Sequence, residues 1–190
     1  DVFGEQKISS DIDVSNFVLN GAKLGNGKLL NKWNESNKSL HTDAIFKLDN
    51  LPTFNLSGDY NFNDKINSLN YILSVNNAPV KLFEFTIADY VSDLNGTLTG
   101  YARIKGSAKE PKINGKFDLD KLEVKIDYLN TVYKTSTSIF IDEDMFAINN
   151  AELVDEENNK ASLNATIFHE NFTDFNLDIG DTITAMYGAV

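Results

Sequence analysis

Apolar and polar side chains alternate along most of this chain, and the longest unbroken run is 94–108, LNGTLTGYARIKGSA. Leu94, Gly96, Leu98, Gly100, Ala102, Ile104, Gly106 and Ala108 fall on one side; Asn95, Thr97, Thr99, Tyr101, Arg103, Lys105 and Ser107 fall on the other. A period of two held this long is a strand signature that no helix produces. One dry side and one wet side is the pattern of an antiparallel strand. Its backbone groups require hydrogen-bonded neighbours, so a sheet is implied.

The same period recurs upstream. Thr42, Ala44, Phe46 and Leu48 share a face until Pro52 interrupts it, as a residue without an N–H does. Phe54, Leu56, Gly58, Tyr60 and Phe62 then oppose Asn55, Ser57, Asp59, Asn61 and Asn63. Asn63–Asp64 reads as a turn, Leu69, Tyr71, Leu73 and Val75 as the next face, and Asn76–Asn77 before Pro79 as another turn. The segment 80–87 is apolar on both sides, with Val80 and Leu82 against Phe83, Phe85 and Ile87, and reads as a further strand. The polar stretch Gly27–Leu40 carries Trp33, expected as an anchor over one end of the core. A short helix finds room only there or in the linker Asp89–Asp93.

Downstream, Lys109–Pro111 closes the long run, and Ile113, Gly115, Phe117 and Leu119 carry the next face. At Asp120–Lys121 the phase slips by one, and Leu122, Val124, Ile126 and Tyr128 carry on. Such a slip turns every later side chain over unless a bulge or tight turn absorbs it, so one is predicted there. Two strands flank the acidic turn Asp142–Asp144, and Asp155–Lys160 is a polar hairpin tip. Ala161, Leu163, Ala165 and Ile167 form a face; Phe175, Leu177 and Ile179 end the regular part, with 181–190 a ragged continuation. The sum is an all-β chain of about a dozen antiparallel strands in a meander. A β-sandwich, a barrel and an open curved sheet all satisfy it.

Composition narrows the function classes. The 190 residues suit a single β domain, 1–190, and the net charge is −11. That charge excludes a phosphate backbone as partner, so no nucleic acid is expected, and it disfavours an anionic membrane surface. There is no cysteine, hence no disulfide framework and no thiolate metal site. No apolar run is long enough for a bilayer-spanning helix, so the chain reads as cytosolic or as a fragment of a longer exported protein.

Candidate chemistry is sparse. His41 and His169 form no paired motif, and neither a metal site nor a cofactor is expected from them. The acidic tips Asp142–Glu143–Asp144 and Asp155–Glu156–Glu157 lack the alternating ligand pattern of a calcium loop. Gly96, Gly100 and Gly106 lie in a strand pattern without a following helix, which makes them a sharp bend or a place where something packs on bare backbone. No Gly-x-Ser-x-Gly elbow exists. The sequons headed by Asn34, Asn37, Asn55, Asn95, Asn164 and Asn171 read as products of an asparagine-rich composition. Tyr128, Tyr133, His169 and Phe172 read as corner or end-packing residues.

Between Asp93 and Ile179 the order of motifs resembles the C-terminal domain of the TamB family, Bacteroidetes type. The motifs are Leu-x-Gly-x-Leu-x-Gly at 94–100, Gly-Ser-Ala-Lys-Glu-Pro-x-Ile-x-Gly at 106–115 and Tyr-Leu-Asn-Thr-x-Tyr at 128–133. Asn149–Asp155, Asn159–Lys160–Ala161, Leu163, His169–Glu170–Asn171–Phe172 and Phe175–Asn176–Leu177–Asp178 follow. Residues 1–89, an N-terminal β region, are similar to the preceding part of that family in style.

The resemblance implies an elongated antiparallel sheet curled into a β-taco, a half-pipe with an apolar interior. It also implies a periplasmic region of a protein anchored in the bacterial inner membrane, paired with an Omp85-type outer-membrane barrel of the TamA kind. The implied role is non-enzymatic: outer-membrane protein assembly, autotransporter secretion and phospholipid transport between membranes. The expected trough residues are Leu94, Leu98, Ala102, Ile104, Phe117 and Leu119, with Leu163, Ala165 and Ile167 downstream and Phe54, Leu56 and Tyr60 upstream. They would hold phospholipid acyl chains or an unfolded client β-strand by burial. Without the resemblance the same residues are an ordinary core. The competing class is a β-sandwich adhesion module that binds through its acidic tips, with calcium assistance.

Overall fold

The computed structural model describes residues 9–19, 22–49, 51–86, 91–170 and 173–179. Its strands are β1 (Ser9–Leu19), β2 (Ala22–Asn34), β3 (Ser39–Leu48), β4 (Leu51–Asn61), β5 (Leu69–Pro79) and β6 (Val91–Gly106). After them come β7 (Pro111–Ile126), β8 (Thr131–Asp142), β9 (Met145–Val154), β10 (Lys160–Glu170) and β11 (Thr173–Ile179). The hydrogen-bonding order is the chain order, one antiparallel sheet that does not close into a barrel. The protein is all-β, and the meander expected from the alternation is present. The chain divides into two compact units: Asp1–Asn76 with Tyr101–Asn114, and Asn77–Gly100 with Gly115–Val190.

Alternation sets which side of each strand is buried. Along β6, Leu94, Leu98, Ala102 and Gly106 are buried while Asn95, Thr99, Tyr101, Arg103 and Lys105 are exposed. Pro111 opens β7, where a missing N–H costs no ladder bond. The predicted bulge at Asp120–Lys121 is there: register slips between Leu119 and Leu122, so Leu119↔Thr137 and Leu122↔Thr135 keep the apolar residues on one face.

That bulge belongs to a recurring device. Asn16, Asn77, Lys121 and Asn150 each adopt a left-handed φ, near 50°. Each donates its backbone N–H to a side chain on the neighbouring strand: Asn26 Oδ1 at 3.0 Å, Thr99 Oγ1 at 2.9 Å, Ser136 Oγ at 3.0 Å and Asn164 Oδ1 at 2.8 Å, respectively. A bulge lifts one N–H out of the ladder, and the neighbour's side chain satisfies it. Register slips accompany those at Asn16, Lys121 and Asn150. Bulges add twist and bend the strand that carries them.

Several expectations are corrected. Residues 80–86 form a 3-10 helix, not a strand; Val80 and Leu82 are both buried, so its apolar character serves packing rather than a pleat. Asn76–Asn77 is not a turn, since β5 continues to Pro79 with Asn77 as its bulge. Tyr128 is not an end-packing residue: it stands 94% exposed on the β7–β8 turn. The stretch 27–40 is strand, turn and strand rather than helix. Phe172 and the ragged continuation at 181–190 lie outside the described residues, as do 87–90, which include Asp89 and Tyr90 of the expected linker; its other three residues, Val91–Asp93, are strand, the start of β6.

Candidate functional site

The first unit builds its apolar face in rows. Phe46–Phe54–Val75, Ala44–Leu56–Leu73 and Leu40–Tyr60–Leu69 stand opposite one another across β3, β4 and β5. Opposed side chains on a sheet lie close enough to touch, so each row is a strip of contact running across the strands. Ala44 and Val75 are buried, while Phe54, Leu56 and Tyr60 are half-buried. Of the residues expected on β6, Ala102 is buried and Ile104 half-buried.

A polar strip crosses this face and was not expected from the sequence. Thr42 Oγ1 donates to Asn31 Oδ1 at 2.7 Å, and Asn31 Nδ2 donates to Ser10 Oγ at 2.8 Å. These residues share a register row, Ser10↔Asn31↔Thr42↔Gly58. Each is a small polar residue in an apolar phase, and only the register reveals that they meet.

The second unit repeats the arrangement. Phe117–Ile139–Ile148–Ala165 and Gly115–Ile141–Phe146–Ile167 run across β7, β8, β9 and β10. Leu94, Leu98, Phe117 and Leu119 are buried, as are Val80 and Leu82 of the 3-10 helix. Leu163, Ala165 and Ile167 are half-buried. Five of the twelve expected trough residues, Leu94, Leu98, Ala102, Phe117 and Leu119, are buried. The other seven are half-buried. Thr135 Oγ1 lies buried on this face with no hydrogen-bond partner, opposite Leu122.

Two glycines lie where bare backbone is required by a close approach. A Cβ on Gly58 would stand 2.2 Å from the Asn70 carbonyl oxygen and 2.8 Å from the Tyr71 ring; one on Gly100 would meet Lys116 O at 2.2 Å and the Phe117 ring at 2.8 Å. In both, an aromatic ring of the next strand lies against the glycine. This is the packing on bare backbone that the sequence pattern left open for Gly100.

The opposite face is polar. Lys28 lies 2.6 Å from Asp11 and 3.6 Å from Asp13, and the hydrogen bond to Asp11 leads in raising its pKa above the usual lysine value. Ser138 first, then Lys116, hold the Asp118 carboxyl below the ordinary range. His41 sits between Asp43, at 3.3 Å, and Asp59, at 3.2 Å. His169, 5% exposed, donates its backbone N–H to Asp144 O at 2.8 Å and packs its ring 4.9 Å from that of Phe146. Among the described residues no group of three His, Asp or Glu side chains is placed to hold a metal ion. At the tip 155–159, Asp155 accepts from the backbone N–H of Glu157 and of Asn159 and from the Asn159 amide. Its oxygens are thus engaged in shaping the turn. No helix among the described residues is long and apolar enough to cross a membrane.

No family model, curated protein or solved structure matches this chain.

Proposed function

We propose that this chain is a non-enzymatic, periplasmic segment of a TamB-like protein, and that its partly open apolar sheet face holds phospholipid acyl chains in transit between membranes. In the longer protein the partner is an Omp85-type, TamA-like barrel. The observation that carries the reading is that each unit leaves apolar side chains half-buried on its own sheet face: Phe54, Leu56, Tyr60 and Ile104 in one, Leu163, Ala165 and Ile167 in the other. An acyl chain has no hydrogen-bonding groups, so a row of apolar side chains offers all that it can use. Each methylene that it buries contributes ~0.8 kcal/mol. A client β-strand needs backbone partners as well, and those lie at a sheet edge rather than on a face.

Native mass spectrometry of the purified chain, with extraction of bound lipid, tests the reading. Phospholipid is expected to co-purify with the parent chain. Ile104→Asp and Ile167→Asp, at half-buried positions, should each deplete it while keeping the β circular dichroism spectrum. A lipid-free parent chain, or folded variants with undiminished lipid, overturns the proposal.

A further inference from the structure

We propose that one end of the first unit, the β2–β3 turn 35–38 together with the β4–β5 loop 62–68, is a lip that enters the interface of a zwitterionic phospholipid bilayer. The choice of lipid as occupant rests on the acyl-chain reading above; the geometry of the lip does not.

The last apolar row of the face contains Leu40, Tyr60 and Leu69, with Trp33 opposite Leu40. Phe62, two residues on from Tyr60, continues the face just beyond the end of β4. Its ring lies 4.7 Å from that of Tyr60 and 5.5 Å from that of Trp33. Phe62 is nevertheless 56% exposed, and Ile66 on the same loop is 76% exposed. Neither exposure comes from a loose loop. Asp64 Oδ1 accepts the N–H of Ile66 at 3.0 Å and of Asn67 at 2.7 Å. Asn61 N–H donates to Ser68 O at 2.7 Å, and Phe62 N–H donates to Lys38 O at 3.0 Å. The loop thus holds a large aliphatic side chain out in water, four residues on from the Phe62 ring that packs against Tyr60 of the apolar face. Exposed apolar groups cluster at sites of partner or membrane contact, and Trp and Tyr favour the headgroup level because one end of each is apolar and the other polar.

Charge selects the surface. Between Asn31 and His41 and between Asp59 and Leu69 there are three lysines, Lys32, Lys38 and Lys65, against three acids, Glu35, Asp59 and Asp64. The lip is neutral in a chain of net charge −11. A neutral surface approaches a zwitterionic bilayer without repulsion, whereas the acidic remainder is kept off an anionic one. Loading then has a direct route: a lipid tail lifted at the lip meets Phe62, Tyr60 and the rows of the face in turn.

Trp33 is the sole tryptophan and its ring lies against Phe62 of the lip, so the chain carries its own probe. With phosphatidylcholine vesicles its emission should shift to the blue and be quenched by lipids brominated in the acyl chains. Phe62→Ser should lower vesicle affinity about tenfold, from the burial of one large apolar side chain. Ile66→Ser should do the same, and at its exposed position it leaves folding intact should the Phe62 variant misfold. Unchanged Trp33 emission, absence of quenching, affinity insensitive to Ile66→Ser, or capture of a protein without any response to vesicles overturns the lip. Native mass spectrometry of the same samples separates the two ideas. Lipid retained without vesicle binding removes the lip and keeps the face; vesicle binding without retained lipid does the reverse.

Discussion

Single side chains decide where this chain turns. The Asp155 carboxyl sits below the ordinary aspartate range, chiefly through the Asn159 side-chain hydrogen bond and then the backbone N–H groups of Asn159 and Glu157. Because the folded value is the lower one, the contribution of the ionised form is complete above the ordinary value of 3.8. It is lost as pH falls through the depressed folded value. Amide hydrogen exchange should show Glu157 and Asn159 protected at mildly acidic pH and opening only below the ordinary range. Asp155→Ala should expose both at every pH, and equal protection in the parent and variant chains would refute this role. The sequence marked 155–160 as a polar tip because acidic and amide residues cluster there. That one carboxylate shapes the turn was visible only once its three donors were in place.

At the scale of the element, alternation was a faithful guide wherever it was simple. The face of β6, the break before β7 and the strands around Asp142–Asp144 were all legible. The slip at Asp120–Lys121 was legible too, because a phase error in a half-buried strand has few physical remedies. Lys121 pays for that remedy with a left-handed φ of 50°, a conformation costing a side-chain-bearing residue roughly 1–2 kcal/mol. Lys121→Gly should therefore hold or raise the midpoint of thermal unfolding. Deleting Lys121 should lower it sharply, because Leu122, Val124 and Ile126 would turn to the wet side. An unchanged midpoint on deletion would mean that the bulge is not what keeps those residues inward. Asn77 uses the same bulge but read as a turn, since asparagine pairs mark turns more often than bulges. The 3-10 helix 80–86 read as a strand because a short run that is apolar on both sides carries no period to distinguish the two.

Across the whole molecule the excess of acid is the dominant electrostatic fact: 28 acidic against 17 basic side chains. The ion pairs found among the described residues are exposed, such as Lys134–Glu123 at 3.0 Å and Lys160–Glu152 at 2.9 Å, and exposed pairs add little. Self-repulsion of the excess negative charge therefore outweighs them. Raising ionic strength from about 0.01 to about 0.15 M shortens the screening length from roughly 30 to 8 Å. The unfolding midpoint should rise with it, and a fall would show that the exposed pairs carry more stability than the repulsion removes.

The sequence by itself determined the fold class, the order of the strands and the side of each strand that faces away from water, because a pleated strand forces side chains to alternate and burial selects one set. It also determined the acidic surface and the absence of thiol chemistry. Tertiary structure alone decided which apolar residues are sealed and which stay open. Leu98 and Leu163 look alike in the alternation, yet the first is buried and the second half-exposed. Burial depends on what the neighbouring strand and the 3-10 helix bring against a residue, and no local period records that. The Ser10–Asn31–Thr42 strip and the Trp33–Phe62 contact at the lip are further cases: their members are distant in sequence and are brought together only by register.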